Sequence, residues 1–155
     1  MNEPQTILIL EDCPQREYRM RDAMVDRFPF YRVEVAKTAV DFATLLAEIS
    51  PGGLALVSMD HDLEPAEGAG DPGDGREAAA ALAARGPECP VVIHSTNGPA
   101  AEEMRGTLTD AGWAVCRVLP TDGHRWVRTL WFRVVRSLLV HGRTPAGFAE
   151  PAEAA

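Results

Sequence analysis

Residues 54–62 read LALVSMDHD. Residues 54–59, apolar except for Ser58, fit a strand buried on both faces. The chain leaves that strand through Asp60-His61-Asp62. The same pattern occurs twice more. ILIL at 7–10 runs into Glu11-Asp12, and PVVI at 90–93 runs into His94-Ser95-Thr96-Asn97.

Helical stretches separate these runs. Pro14 suits a first helical turn and opens a helix to about Phe28. YRVEVA at 31–36 alternates as a half-buried strand does, and Thr38 with Asp41 resembles a capping box for a helix to about Ile49. The acidic, Gly- and Pro-rich segment 64–75 reads as a mobile loop. Asp74 and Glu77 can cap the helix that follows, which Gly86-Pro87 ends. Gly98-Pro99 opens another helix to Ala111, WAVCRVL at 113–119 is a fifth strand, and a last helix spans about 123–141. Strict β-α alternation predicts an α/β fold: a three-layer, doubly wound sandwich around a five-stranded parallel sheet. The expected strand order is the flavodoxin-like 2-1-3-4-5. One domain over 1–143 is expected, with 144–155 (TPAGFAEPAEAA) a disordered tail.

The chain has 155 residues, which is ordinary for one domain. Its three cysteines form no CxxC, so neither a disulfide framework nor a thiolate zinc site is expected. No run spans a bilayer and MNEPQTILIL lacks a basic leader, so a soluble cytoplasmic protein without membrane partners is expected. A net charge of −8 argues against a general DNA-coating protein. Against that background, residues 124–143 hold five arginines and no acid.

Ligands of such sheets bind beyond the carboxyl ends of the strands, near the switch in strand order. Strands 1, 3 and 4 would be neighbours there, about 4.8 Å apart. Glu11, Asp12 and Asp60 would therefore crowd together and repel unless a cation sits among them. Oxygen donors suit Mg²⁺ or another divalent cation such as Mn²⁺, while simple capping by Asp12 is the plainer alternative. His61 and His94 could act as acid and base, contact phosphate, ligate a transition metal beside Asp62, or serve structure alone. Ser95, Thr96 and Asn97 precede a helix whose free N–H groups favour phosphate, although Asn97 could simply cap it.

ILILED, a strand ending in Asp60, and PVVIHS together resemble the receiver domain of two-component response regulators, over residues 6 to about 141. That resemblance implies that Glu11 and Asp12 hold Mg²⁺, that Asp60 accepts a phosphoryl group, and that Ser95 is the hydroxyl closing the fourth strand. Receivers carry a lysine before the proline after strand five; here Leu119 precedes Pro120, and the only lysine is Lys37. MDHDL with HSTN is more specifically similar to the cyclic-phosphate-processing receiver-like family. This resemblance carries over to Glu11, Asp12, Asp60, His61, Asp62, His94, Ser95 and Asn97.

Two functions follow as expectations. The first is a metal-dependent phosphoesterase acting on 2′,3′-cyclic phosphate ends of RNA or on cyclic nucleotides, with Asp60, His61 and His94 catalytic and Asp62 supporting. The second is a phosphoryl-accepting or purely binding module with Asp60 as acceptor. In the last helix, Val127, Leu130, Val134 and Leu138 should face the sheet. Arg125, Arg128, Arg133 and Arg136, interleaved with Phe132, Leu139 and Val140, should form the opposite face. That mixture suits a homodimer contact, with an RNA contact or a solvated face as alternatives.

Overall fold

The computed structural model describes residues 3–121 and 123–152. Its elements are β1 (Thr6–Leu10), α1 (Pro14–Arg27), β2 (Arg32–Ala36), α2 (Ala39–Glu48), β3 (Leu54–Met59), α3 (Gly75–Arg85), β4 (Val91–His94), α4 (Gly98–Asp110), β5 (Val115–Val118) and α5 (Phe132–His141). All strand pairings are parallel, in the order β2-β1-β3-β4-β5. Among the described residues, no helix is long and apolar enough to cross a membrane.

The apolar runs form central strands because both faces are covered. Successive side chains along a strand point to opposite sides. Leu8, Leu10, Val57, Met59, Val91 and Ile93 join one core cluster with residues of α2, α3 and α4. Ile7, Ile9, Leu56, Val92, Cys116 and Val118 join the other, with residues of α1 and α5. The caps form locally: Thr38 Oγ1 accepts from Asp41 N–H at 3.0 Å, and Asp74 accepts from the Arg76 and Glu77 amides.

The loop 64–75 is tied at its return. Gly75 N–H donates to His61 C=O at 3.0 Å. A Cβ on Gly75 would lie 2.4 Å from the Asp60 carbonyl oxygen and 2.7 Å from His61 Cα. Only glycine lets α3 begin this close to the end of β3. Pro72 C=O also accepts from Ala39 N–H at 2.9 Å.

The last helix departs from the expected periodicity. A π-helical turn at Val127–Trp131 precedes α5. Such a turn bonds five residues back rather than four, and so shifts the buried stripe. Val127, Trp131, Val134 and Val135 are buried, while Leu130 and Leu138 are only partly buried. Arg125, Arg128, Arg133 and Arg136 are exposed. Arg128 pairs with Asp22, and Phe132 packs edge-on against Phe28 with ring centres 6.2 Å apart.

Residues 144–152 carry contacts to the domain. Phe148 packs against the α1/α5-side core. The Glu150 carboxylate accepts from Arg117 N–H at 3.2 Å and from Arg105 Nη2 at 2.5 Å. One aromatic ring and one satisfied carboxylate are enough to lay this segment on the domain, a pairing not visible from composition. Residues 153–155 of the expected tail lie outside the described residues.

Candidate functional site

The carboxyl ends of β1, β3 and β4 deliver Glu11, Asp60 and His94 to one place. Each offers a ligand-type atom within 4.8 Å of the others. All three sit on the α1/α5 side, because Glu11 continues the parity of Ile7 and Ile9, Asp60 that of Leu56, and His94 that of Val92. Residues one step along, His61 and Ser95, fall on the opposite side.

At the centre is a cation that the sequence reading did not identify. Arg16, in the first turn of α1, donates through Nε to Glu11 Oε2 at 3.0 Å and through Nη2 to Glu11 Oε1 at 2.9 Å. The same Nη2 reaches Asp60 Oδ2 at 3.3 Å and lies 3.9 Å from Asp12 Oδ1. The signal was available: Pro14 starts the helix, so Arg16 must project near the end of β1.

Glu11 is fully buried and saturated. Besides the Arg16 fork, its Oε1 accepts from Cys13 N–H at 3.0 Å, and His94 Nε2 donates to Oε2 at 3.1 Å. Behind His94 the network continues inward. Ser58 Oγ lies 2.8 Å from His94 Nδ1, and Trp131 Nε1 donates to Ser58 Oγ at 2.8 Å. The Trp126 ring packs on the imidazole with centres 5.9 Å apart. His94 is therefore held at both ring nitrogens and only 1% exposed.

The electrostatics differ sharply between the two central acids. Burial alone would raise the Glu11 pKa, but the hydrogen bond and charge of His94, then Arg16 and the Cys13 amide, bring it down to about 2. Asp60 goes the other way, up to about 6. Burial is the main cause, Glu11 adds repulsion, and His94, Arg16 and the His61 amide offset them only in part. Burial and the neighbouring Glu11 also raise Asp12, against a hydrogen bond from the Glu64 amide. One guanidinium thus leaves the group of acids under-neutralised.

An open cavity of about 400 Å³ reaches this group, lined by Asp12, Arg16, Asp60, Asp62, His94 and Thr96 among others. Asp12 does not cap α1; its Oδ2 accepts from Glu64 N–H at 2.6 Å, fastening the loop 64–75 beside the cavity. Oxygen donors facing a partly uncompensated negative site fit a hard divalent cation. Asp12 and Asp60 face the cavity, whereas both Glu11 oxygens are already engaged.

The second group lies on the α3/α4 side. His61 Nδ1 is 2.7 Å from Asp62 Oδ1, and its Nε2 is 3.7 Å from Asp74 Oδ2. Asn97 Nδ2 approaches both His61 and Asp62 at 3.5 Å. The two histidines therefore do not flank one shared cavity: His94 is locked to Glu11 and Ser58, while His61 belongs to the loop side. Around the start of α4 two of the amides are already used. Asn97 Oδ1 caps Ala100 N–H at 3.1 Å, and Ser95 Oγ accepts from Asn97 N–H at 3.1 Å. Thr96 alone of that trio lines the acidic cavity. Arg117, buried on β5, donates through Nη2 to Ser95 C=O at 2.9 Å, bracing the end of β4.

Comparison with known proteins agrees with this architecture. The fold is that of a response-regulator receiver. A phosphorylated cyanobacterial phytochrome response regulator, RcpA, superposes with a TM-score of 0.65 at 16% identity, covering 96% of this chain and 99% of that one. CheY of Borrelia burgdorferi, solved in complex with CheX, BeF3 and Mg²⁺, gives 0.60 at 14% identity, over 88% and 90%. The response regulator domain of Thermotoga maritima CheB gives 0.58 at 17%, over 88% and 91%. No curated protein matches by sequence. Residues 6–110 match the model of the cyclic-phosphate processing receiver domain, and the chain belongs to that family.

Proposed function

We propose that this chain handles a phosphoryl group at Asp60 as receivers do, with the carboxylate as acceptor and Mg²⁺ as the cation. The carrying observation is the position of Asp60: at the cavity, under-neutralised, and bonded through Oδ2 to Arg16. An Asp60 oxygen attacks the phosphorus of a donor such as an acyl phosphate. The P–O bond to the donor breaks, its electron pair leaves with the acyl carboxylate, and an aspartyl phosphate forms. Asp12 and Asp60 would hold the cation, which would neutralise charge on the transferred group. Arg16 supplies positive charge at Asp60 from α1, where receivers use the lysine that Leu119 replaces here. His94 and Ser58 hold Glu11, and Glu11 holds Arg16, so the chain's own contribution is a fixed cation beside the acceptor.

A second reading is hydrolysis of a 2′,3′-cyclic phosphate. The family's description favours it, as does the His61–Asp62 pair at the flank of the site. Incubation with acetyl phosphate and Mg²⁺, beside a panel of 2′,3′-cyclic nucleotides, separates the two. Added phosphoryl mass on the wild type but not on Asp60→Asn supports the acceptor reading. Turnover of a cyclic nucleotide without stable labelling supports the hydrolase instead.

A further inference from the structure

Away from the acidic cavity, the end of α5 and the chain just after it enclose a cleft of about 360 Å³. Its lining brings together Arg133, Arg136, His141 and Arg143, with Ser137 and Thr144 between them. No carboxylate lines it. That is notable in a chain of net charge −8 with 23 acidic residues.

The cleft is built rather than incidental. Gly142 takes a left-handed conformation, φ 70°, and ends α5. The chain then turns back, and Ser137 Oγ donates to Arg143 C=O at 2.6 Å. Arg133 Nη2 donates to Ala146 C=O at 3.3 Å. Phe148, packed against the core, holds the far end of this turn. Arg143 and Thr144 are thereby fixed against the helix face that carries Arg133 and Arg136.

The neighbouring acids are committed elsewhere. Glu150 is held by Arg105 and the Arg117 amide, and Asp22 by Arg128. Among the described residues, neither Arg136 nor Arg143 has an acidic partner in hydrogen-bond or ion-pair range, whereas six other arginines, Arg16, Arg21, Arg76, Arg85, Arg105 and Arg128, are each paired with a carboxylate. A helix C-terminus favours cations on its own account. It does not account for Arg143, which lies past the helix and is folded back toward like charges. Gathering three guanidiniums around hydroxyl groups costs repulsion that a bound oxyanion removes.

We infer that this cleft binds a phosphate group, with Arg136 and Arg143 as the paired forks and Ser137 and Thr144 flanking them. Guanidinium pairs match phosphate geometry in two-point fashion. The phosphate could be borne by a free nucleotide or by a nucleic-acid strand, and the two differ in salt dependence. A strand that spans several phosphates loses affinity steeply with salt, with a slope of roughly 0.7 per neutralised phosphate.

The test is an amide NMR titration of the full chain with inorganic phosphate, a nucleoside 5′-monophosphate and a single-stranded RNA oligonucleotide, each at two salt concentrations. The inference expects saturable shifts at Ser137, Arg143 and Thr144 with at least one of the three. Arg136→Gln and Arg143→Gln should each weaken binding about tenfold, the loss of one charge-assisted contact. Both positions are exposed, so the variants should keep the wild-type spectrum elsewhere. A steeper salt dependence for the oligonucleotide than for the monophosphate identifies a strand; equal dependence identifies the free nucleotide or phosphate. No shift at those residues with any probe, or unchanged affinity in both variants, overturns the inference. The outcome is independent of Asp60, because Asp60→Asn should leave these shifts intact.

Discussion

The Arg16 guanidinium bridges Glu11 and Asp60, 2.9 Å from Glu11 Oε1 and 3.3 Å from Asp60 Oδ2. It is the cation that lets two buried carboxylates share one strand-end cluster. Removing it leaves Glu11 buried and paired only with His94, and leaves Asp60 with no guanidinium. Arg16→Gln should therefore destabilise the fold by about 3 kcal/mol. Urea unfolding near neutral pH checks this, and a cost within error of zero would mean that the acids are neutralised another way.

Glu11 and Asp60 bend the stability–pH curve in opposite directions. The Glu11 pKa is lowered in the fold, from 4.5 to about 2, so its contribution is present above 4.5 and lost as pH falls through about 2. The Asp60 pKa is raised, from 3.8 to about 6, so its contribution is full below 3.8 and lost as pH rises through about 6. Asp60→Asn should thus stabilise the protein by on the order of 2 kcal/mol at neutral pH. That gain should vanish below the unfolded value of 3.8. Chemical denaturation across this range decides it; a gain that persists in acid contradicts the assignment.

A cation at Asp12 and Asp60 competes with the proton on Asp60. Calorimetric titration with Mg²⁺ should show affinity roughly tenfold weaker at about pH 5 than near neutrality. Asp12→Asn should weaken binding at both pH values. Heats that do not change with pH, or that survive both Asp12→Asn and Asp60→Asn, place the cation elsewhere.

Much of this site is legible in the strand ends alone. ILIL-Glu11, VSM-Asp60 and VVI-His94 put three polar residues at the tips of adjacent strands, and the structure brings them together. Period-two parity was equally readable, and it separates Asp60 from His61 and His94 from Ser95; treating consecutive residues as one group obscures that. Arg16 is not signalled by the strand ends, because it is a cation on α1, five residues beyond Glu11. Trp131 was out of reach: helical periodicity assumes even turns, and the π-helical turn at Val127–Trp131 breaks that assumption.

Trp131 matters because its indole N–H occupies Ser58 Oγ. Ser58 Oγ in turn lies 2.8 Å from His94 Nδ1, and His94 Nε2 bonds Glu11, so the indole fixes the hydroxyl that orients the imidazole. Trp131→Phe keeps most of the bulk and removes that donor. Phosphorylation of Asp60 should slow by roughly 10-fold or more, as losses of such supporting partners do, while the circular dichroism spectrum stays native. An unchanged rate would reduce the Trp131–Ser58 contact to packing.

Gly75→Ala tests whether the loop return supports the acceptor. The added Cβ meets backbone atoms of Asp60 and His61, which cannot swing aside. A destabilisation of about 1–3 kcal/mol is expected, together with weaker Mg²⁺ binding. Wild-type stability and Mg²⁺ affinity would show that the end of β3 yields freely.

The acceptor role of Asp60 is tested most directly by intact-mass spectrometry after incubation with acetyl phosphate and Mg²⁺. One added phosphoryl group, mapped to Asp60, absent from Asp60→Asn and lost on chelation of the metal, is the predicted result. A wild-type chain that stays unmodified under these conditions while opening a 2′,3′-cyclic nucleotide would contradict it.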